Sequence, residues 1–189
     1  VIVNNLFQNT QLENSFSINM VCLDNGQPKL MNLKDIIAAF IRHRQEVVTR
    51  RTMYELRKAR ERGHILEGLT VALANIDEII ETIKTSANPA EARERLQAGE
   101  WAAGGVVALL EKAGSVSVRP DVIEGEDLAK PFGFDGSIYR LSPTQVGAIL
   151  ELRLHRLTGL EQDKLHAEYS DILAQIAEYT AILNDFELL

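Results

Sequence analysis

The sequence predicts a mainly α fold: a long antiparallel two-helix coiled-coil stalk with a small globular helical tip, plus a short β element near the N-terminus. Three observations predict it. Residues 32–85 contain no proline and lie between Pro28 and Pro89, so a single helix of roughly 54 residues and about 80 Å fits there. Leu165, Tyr169, Ile172, Ile176, Tyr179 and Leu183 follow one another at alternating steps of four and three, the seam by which one helix packs along another. Between these stretches, residues 86–159 are punctuated by Gly and Pro, which suits a compact tip where the chain reverses direction.

At the N-terminal end, Val1, Ile2, Val3, Leu6 and Phe7 suit the end of a short helix, which Asn9, Thr10 and Gln11 then break. Residues 16–23 form an apolar run compatible with a strand. Asp24-Asn25-Gly26 is a turn signal, and residues 28–31 offer a partner strand. The chain opens on Val1 rather than Met and stops in Phe186-Glu187-Leu188-Leu189 without a terminating signal, so the expectation is a piece of a longer polypeptide.

Asn32 is a good N-cap for the long helix, and Asp35 places negative charge in its first turn, where the helix dipole favours it. Apolar residues recur through Ile36, Phe40, Val47 and Tyr54, and again through Ile65, Leu69, Ala72, Ile76, Ile80 and Ile83. Arg57, Lys58, Arg60, Glu61, Arg62 and Gly63 fill the gap between the two sets, so a solvated shaft separates two apolar sections. Gly63 and Gly68 each cost about 1 kcal/mol relative to Ala in a helix interior, which points to a bend or a close backbone contact. Residues 42–64 carry eight Lys/Arg against three Glu, whereas the whole chain has a net charge of −7. This basic section on an acidic body reads equally as a solvated helix face with internal pairs such as Glu46 with Arg50, or as a surface that tracks phosphates.

Ser86, Asn88 and Pro89 stop the long helix, and Pro89 opens a second one that ends before Gly99. Residues 101–112 read as another short helix with Gly114 as its C-cap residue. Residues 115–136 read as a surface loop; its Glu124, Glu126 and Asp127 have no His or Cys at ligand spacing. Ser142-Pro143-Thr144-Gln145 spells a capping box, opening a helix expected to reach Gly159. That helix is apolar nearly all round and needs neighbours on several sides. Val146, Ile149, Leu150, Leu152, Arg153, Leu154 and Leu157 are therefore candidate dimer-interface residues.

An apolar fraction of 46% allows a real core, and no run of about 18 uninterrupted apolar residues suggests a membrane span. The single cysteine, Cys22, has no partner for an internal disulfide and reads as a buried thiol. No HExxH pattern, GxSxG elbow or phosphate loop is present. His43, His64, His155 and His166 read as surface or pairing residues, and Tyr54, Tyr169 and Tyr179 as packing residues on helix stripes. Tyr139 beside Arg140 does not make a nucleophile. No catalytic, cofactor-binding or metal-ligating residue is assigned.

Several ordered stretches resemble one known family. They are Ile18-Asn19-Met20 with Gly26-Gln27-Pro28, Arg42-His43-Arg44, and Glu46-Val47-Val48-Thr49-Arg50-Arg51-Thr52. His64-Ile65-Leu66-Glu67-Gly68-Leu69, Asn75-Ile76-Asp77, Leu152-Arg153-Leu154 and Arg156-Leu157-Thr158-Gly159-Leu160-Glu161 continue the series. In these the chain resembles, over essentially its full length, the A subunits of bacterial DNA gyrases, which are type IIA topoisomerases. The corresponding region of topoisomerase IV is the alternative, as is a dimerising coiled-coil arm without a DNA role. The resemblance implies the end of a tower-like region at residues 1–31, an outgoing coiled-coil helix at 32–85, a C-gate tip at 86–159 and a returning helix at 160–189. It implies a homodimer through the tip, a partner B subunit in an assembly of two A and two B chains, and double-stranded DNA. It places ATP and Mg with the B subunit, and the nucleophilic tyrosine in a domain that these residues do not include, so the chain by itself is expected to be inactive. A cytoplasmic, chromosome-associated location follows. Arg42, Arg44, Arg50 and Arg51 become candidates for guiding a passing duplex.

Overall fold

The computed structural model describes residues 1–15, 17–103, 107, 131–152 and 159–185. They are mainly helical and divide into two units, Val1–Val48 and Thr49–Leu189.

In the first unit, α1 (Ile2–Asn9) precedes a hairpin of β1 (Val21–Asp24) and β2 (Gln27–Leu30), paired antiparallel with Asp24 opposite Gln27. Asn25 and Gly26 have φ of 52° and 78°, the pair of positive values that a two-residue type I′ turn needs. Lys29 Nζ donates to Asp24 Oδ2 at 2.8 Å beside that turn. The strand is shorter than the apolar run that suggests it, and Cys22 is half-buried rather than buried. Asn32 Oδ1 accepts the Asp35 backbone N–H at 2.9 Å, the expected cap of α2 (Leu33–Ala74). The apolar stripe near its start packs only in part: Ile36 and Val47 are half-buried, whereas Phe40 is 62% exposed.

The second unit holds the remainder of α2 and α6 (Gly159–Asn184) side by side. Arg62 reaches Glu168, while the earlier Tyr54 lies beside the later Tyr179, so the two helices run antiparallel. Their seam interlocks Leu56, Ala59, Leu66 and Leu73 with Leu165, Tyr169, Leu173 and Ile176, flanked by Ile172, Tyr179 and Leu183. This is the expected returning helix. Tyr54, read as a packing residue, is 54% exposed instead.

The long helix does not run unbroken to residue 85. It ends at Ala74, and α3 (Ile76–Thr85) begins after Asn75, whose φ of −118° and ψ of 31° leave the helical region. At this break the Asn75 side chain joins two segments: Nδ2 donates to Val71 O of the last turn of α2 at 2.9 Å and to Ala102 O, 27 residues on, at 2.8 Å. The chain then turns through α4 (Pro89–Ala98), where Asn88 Oδ1 caps Glu91 N at 2.8 Å.

Residues 101 and 102 are a strand, not the start of a helix. Gly99 lets the Trp101 indole fold back, since a Cβ there would stand 2.8 Å from the ring, and Trp101 Nε1 donates to Leu96 O at 3.1 Å. β3 (Trp101–Ala102), β4 (Gly133–Phe134) and β5 (Ile138–Arg140) form an antiparallel sheet in the order β3-β5-β4. β4 thus corrects the loop expected through residue 136. The predicted Gly114 cap and residues 115–130 of that loop lie outside the described residues. α5 (Pro143–Leu150) is shorter than expected, ending where Glu151 N–H bonds back to Gly147 O. The core of this head joins Leu69, Val71 and Ala72 of α2 to Ile79, Leu96, Trp101, Tyr139, Leu141, Val146 and Ile149.

Two outcomes follow from this packing. Ile176 is fully buried in the seam, so Ile176→Ala lowers stability by about 2–5 kcal/mol, read from the denaturant midpoint. In the β4–β5 turn, Asp135 Oδ1 accepts from Ile138 N, Ser137 N and Ser137 Oγ, and the backbone donors hold its carboxyl below the ordinary value of 3.8. A lowered carboxylate pKa stabilises the turn above that ordinary value and ceases to do so as pH falls through the folded one. Amide protection at Ser137 and Ile138 should therefore drop on acidification below the ordinary carboxylate range, and Asp135→Asn, which keeps the accepting oxygen, should remove the pH dependence.

Candidate functional site

The candidate site is the place where α5 meets α2, because every predicted interface residue lies on or beyond α5. α5 starts with a complete capping box: Gln145 N donates to Ser142 Oγ at 3.3 Å, and Ser142 N donates to Gln145 Oε1 at 2.9 Å. Both side chains are fully buried. Such polar groups need further partners, and α2 supplies them. Gln145 Nε2 donates to His64 O and to Tyr139 Oη, each at 2.7 Å, and His64 Nε2 lies 2.7 Å from Ser142 Oγ.

Gly68 makes this approach possible. A Cβ at that position would sit 2.6 Å from Gln145 Cγ, so the glycine marks the close contact that its cost in a helix implies. Tyr139 carries the network into the sheet. Burial first, and the Glu67 carboxylate second, push its phenol well above the ordinary value. Tyr169 of α6 is pushed up by the same two causes, and its hydroxyl is buried without a hydrogen-bond partner among the described residues.

The predicted interface residues divide three ways. Val146 and Ile149 are buried in the chain's own core, so the apolar density read as a dimer surface is partly taken up inside the head. Leu150 and Leu152 pack partly buried against that core. Arg153, Leu154 and Leu157 lie outside the described residues.

The four arginines fall in both units. Arg42 and Arg44 are exposed in the first, where the Lys29 hydrogen bond, with Arg42's charge as a lesser cause, lowers the Asp24 pKa. In the second, Arg51 Nε pairs with Glu55 at 2.8 Å. Arg50 lines a groove of about 550 Å³ with Met53, Tyr54, Leu56, Arg57, Arg60 and Leu183, and the Arg57 guanidinium lies 5.6 Å over the Tyr54 ring. The stacking was legible in principle from the i,i+3 spacing of Tyr54 and Arg57. The His64 network was not, because its partners are more than seventy residues away. Among the described residues no three His, Cys, Asp or Glu cluster to hold a metal, and no helix is long and apolar enough to cross a membrane.

An antiparallel helix pair bearing a small, separately cored head is the class of architecture that the sequence leads one to expect. The family of DNA gyrase/topoisomerase IV A subunits matches residues 1–189, and the chain belongs to that family. It is 57% identical over 185 residues to the DNA gyrase A subunit of Pseudomonas aeruginosa, covering 98% of this chain and 20% of the relative. The gyrase A protein of Escherichia coli is 59% identical over 169 residues, or 89% of this chain and 19% of the relative. That of Haemophilus influenzae is 50% identical over 190 residues, covering 100% and 21%. The chain thus spans about a fifth of the length of these relatives.

The Gly68 contact has a direct consequence. Gly68→Val drives a branched side chain into the buried Gln145 and lowers stability by about 1–3 kcal/mol, with hydrogen-exchange protection lost first in α5. Gly147→Ala, where a Cβ meets nothing within 4 Å, is the control and gains up to about 1 kcal/mol from helix propensity.

Proposed function

We propose that this chain is the coiled-coil and exit-gate (C-gate) dimerisation part of a DNA gyrase A protein, which in the whole enzyme takes part in ATP-dependent negative supercoiling by double-strand DNA passage. The observation that carries the reading is the antiparallel α2–α6 pair joined to a head with its own core, in a chain of the gyrase and topoisomerase IV family. A lever and a rigid end piece can move as a body without losing either core. Strand cutting is assigned to a tyrosine-bearing domain outside these residues, and ATP and Mg to a B subunit. The assembly would comprise two A and two B chains on duplex DNA in the bacterial cytoplasm.

Two copies pair through the head in this reading. Val146 and Ile149 are committed to the interior, so the pairing surface is assigned to Leu150 and Leu152 with the following Arg153, Leu154 and Leu157. Arg42, Arg44, Arg50 and Arg51 guide the duplex on its way out. Their attraction is screened over about 8 Å at physiological salt, and Arg51 already shares its charge with Glu55, so the contact is weak. Weakness suits a duplex that has to be released, and charge without base readout suits one of any sequence.

Sedimentation of the chain at about 50 μM tests the pairing, which mass action favours at high concentration. A dimer is expected, and Leu154→Glu with Leu157→Glu should leave monomer. A monomeric unsubstituted chain would overturn the gate role. In the whole enzyme, Arg44→Glu with Arg51→Glu should slow supercoiling and leave DNA cleavage largely intact; an unchanged rate at low salt would return these arginines to the solvated-face reading.

A further inference from the structure

The contact of His64 with α5 is built for a neutral imidazole. Gln145 Oε1 takes the Ser142 backbone N–H at 2.9 Å, which turns Nε2, a group that only donates, toward α2. That nitrogen stands 3.3 Å from His64 Nδ1. Both hydrogens of that amide are committed to His64 O and Tyr139 Oη, and an amide nitrogen accepts nothing, so a proton on Nδ1 would have no acceptor there. The ring proton is then on Nε2, which donates to Ser142 Oγ at 2.7 Å.

A second ring proton, on Nδ1, would be a buried donor facing an amide nitrogen that cannot accept it. It would also put a full charge where His64 is 6% exposed, next to the N-terminal end of α5, whose backbone N–H groups carry partial positive charge. Among the described residues, the other titratable groups of this cluster are Glu67 on α2, Tyr139 on β5 and Tyr169 on α6; α5 presents only the neutral Ser142 and Gln145. Both phenols stay neutral, held up by burial. Glu67 alone in this set attracts an imidazolium, and its carboxylate already accepts from the Tyr139 hydroxyl.

The surroundings allow the contact to open locally. Among the described residues, the head core and the helix seam share none, and the polar network is where α2 holds α5 and β5. We propose that His64 is a protonation-sensitive latch: the neutral ring keeps α5 and β5 docked on α2, and uptake of one proton at Nδ1 releases that end of the head while the α2–α6 seam stays packed. Because the released form binds the extra proton, docking is complete above the ordinary imidazole range near about 6.5 and weakens as pH falls below it.

Hydrogen exchange on the full chain, corrected for the intrinsic pH dependence of amide exchange, reads this directly. Linkage to one proton predicts about a tenfold loss of protection per pH unit in peptides covering residues 138–150, with peptides of α6 unchanged. His64→Gln keeps a donor and an acceptor without titrating, and should make the protection of residues 138–150 independent of pH. Equal pH-dependent losses in the wild-type chain and His64→Gln, or no loss in the wild-type chain, would overturn the latch. Should His64→Gln fail to fold, the NMR titration of the His64 ring in the wild-type chain decides: a ring that gains its proton in the ordinary range while α5 stays protected excludes the proposal, and one that gains it together with the loss of α5 protection supports it.

Discussion

The head depends on one bare spot on a helix. At Gly68 the backbone of α2 has no Cβ, and the buried Gln145 side chain fills the space that a Cβ would need. From that position one amide reaches three elements: it closes the cap of α5, bonds the His64 carbonyl of α2 and bonds the Tyr139 hydroxyl of β5. Tyr139 is in turn the centre of the sheet, opposite Trp101 on one side and Phe134 on the other. A strand pair of two or three residues is too short to be stable alone. Here its position is set by a side chain anchored in a neighbouring helix, and the apolar core closes over it.

α2 serves two cores at once. Leu66 and Leu73 face α6, whereas Leu69, Val71 and Ala72 face the head. A helix apolar on several sides is buried on several sides, which is why residues 63–73 are almost entirely enclosed while the first turns of α2 remain exposed. The two cores lie along one helix, and among the described residues none belongs to both.

Electrostatics contributes specificity of surface more than stability. The pairs of Arg51 with Glu55, Lys58 with Glu61 and Arg62 with Glu168 are all at least partly exposed, and such pairs are worth little individually. They nonetheless engage three of the cations of residues 42–64, and Arg57 lies over the Tyr54 ring.

The sequence by itself determined the elements whose signals are local. The Asn32 cap, the Asn25-Gly26 turn, the Pro89 helix and the Ser142–Gln145 capping box each involve groups within a few residues of one another, and the four-three spacing of α6 declares its own partner-facing side. Tertiary structure decided what depends on distant residues. Residues 101 and 102 are a strand only because β5 lies beside them, and at the break after Ala74 the Asn75 side chain finds Ala102 twenty-seven residues later. Val146 and Ile149 turn inward because the head's own core reaches them first. His64 looked like an ordinary helix residue for the same reason: the hydroxyl and amide that define it come from residues 142 and 145, and a hydrogen bond between segments so far apart leaves no periodic trace in either one.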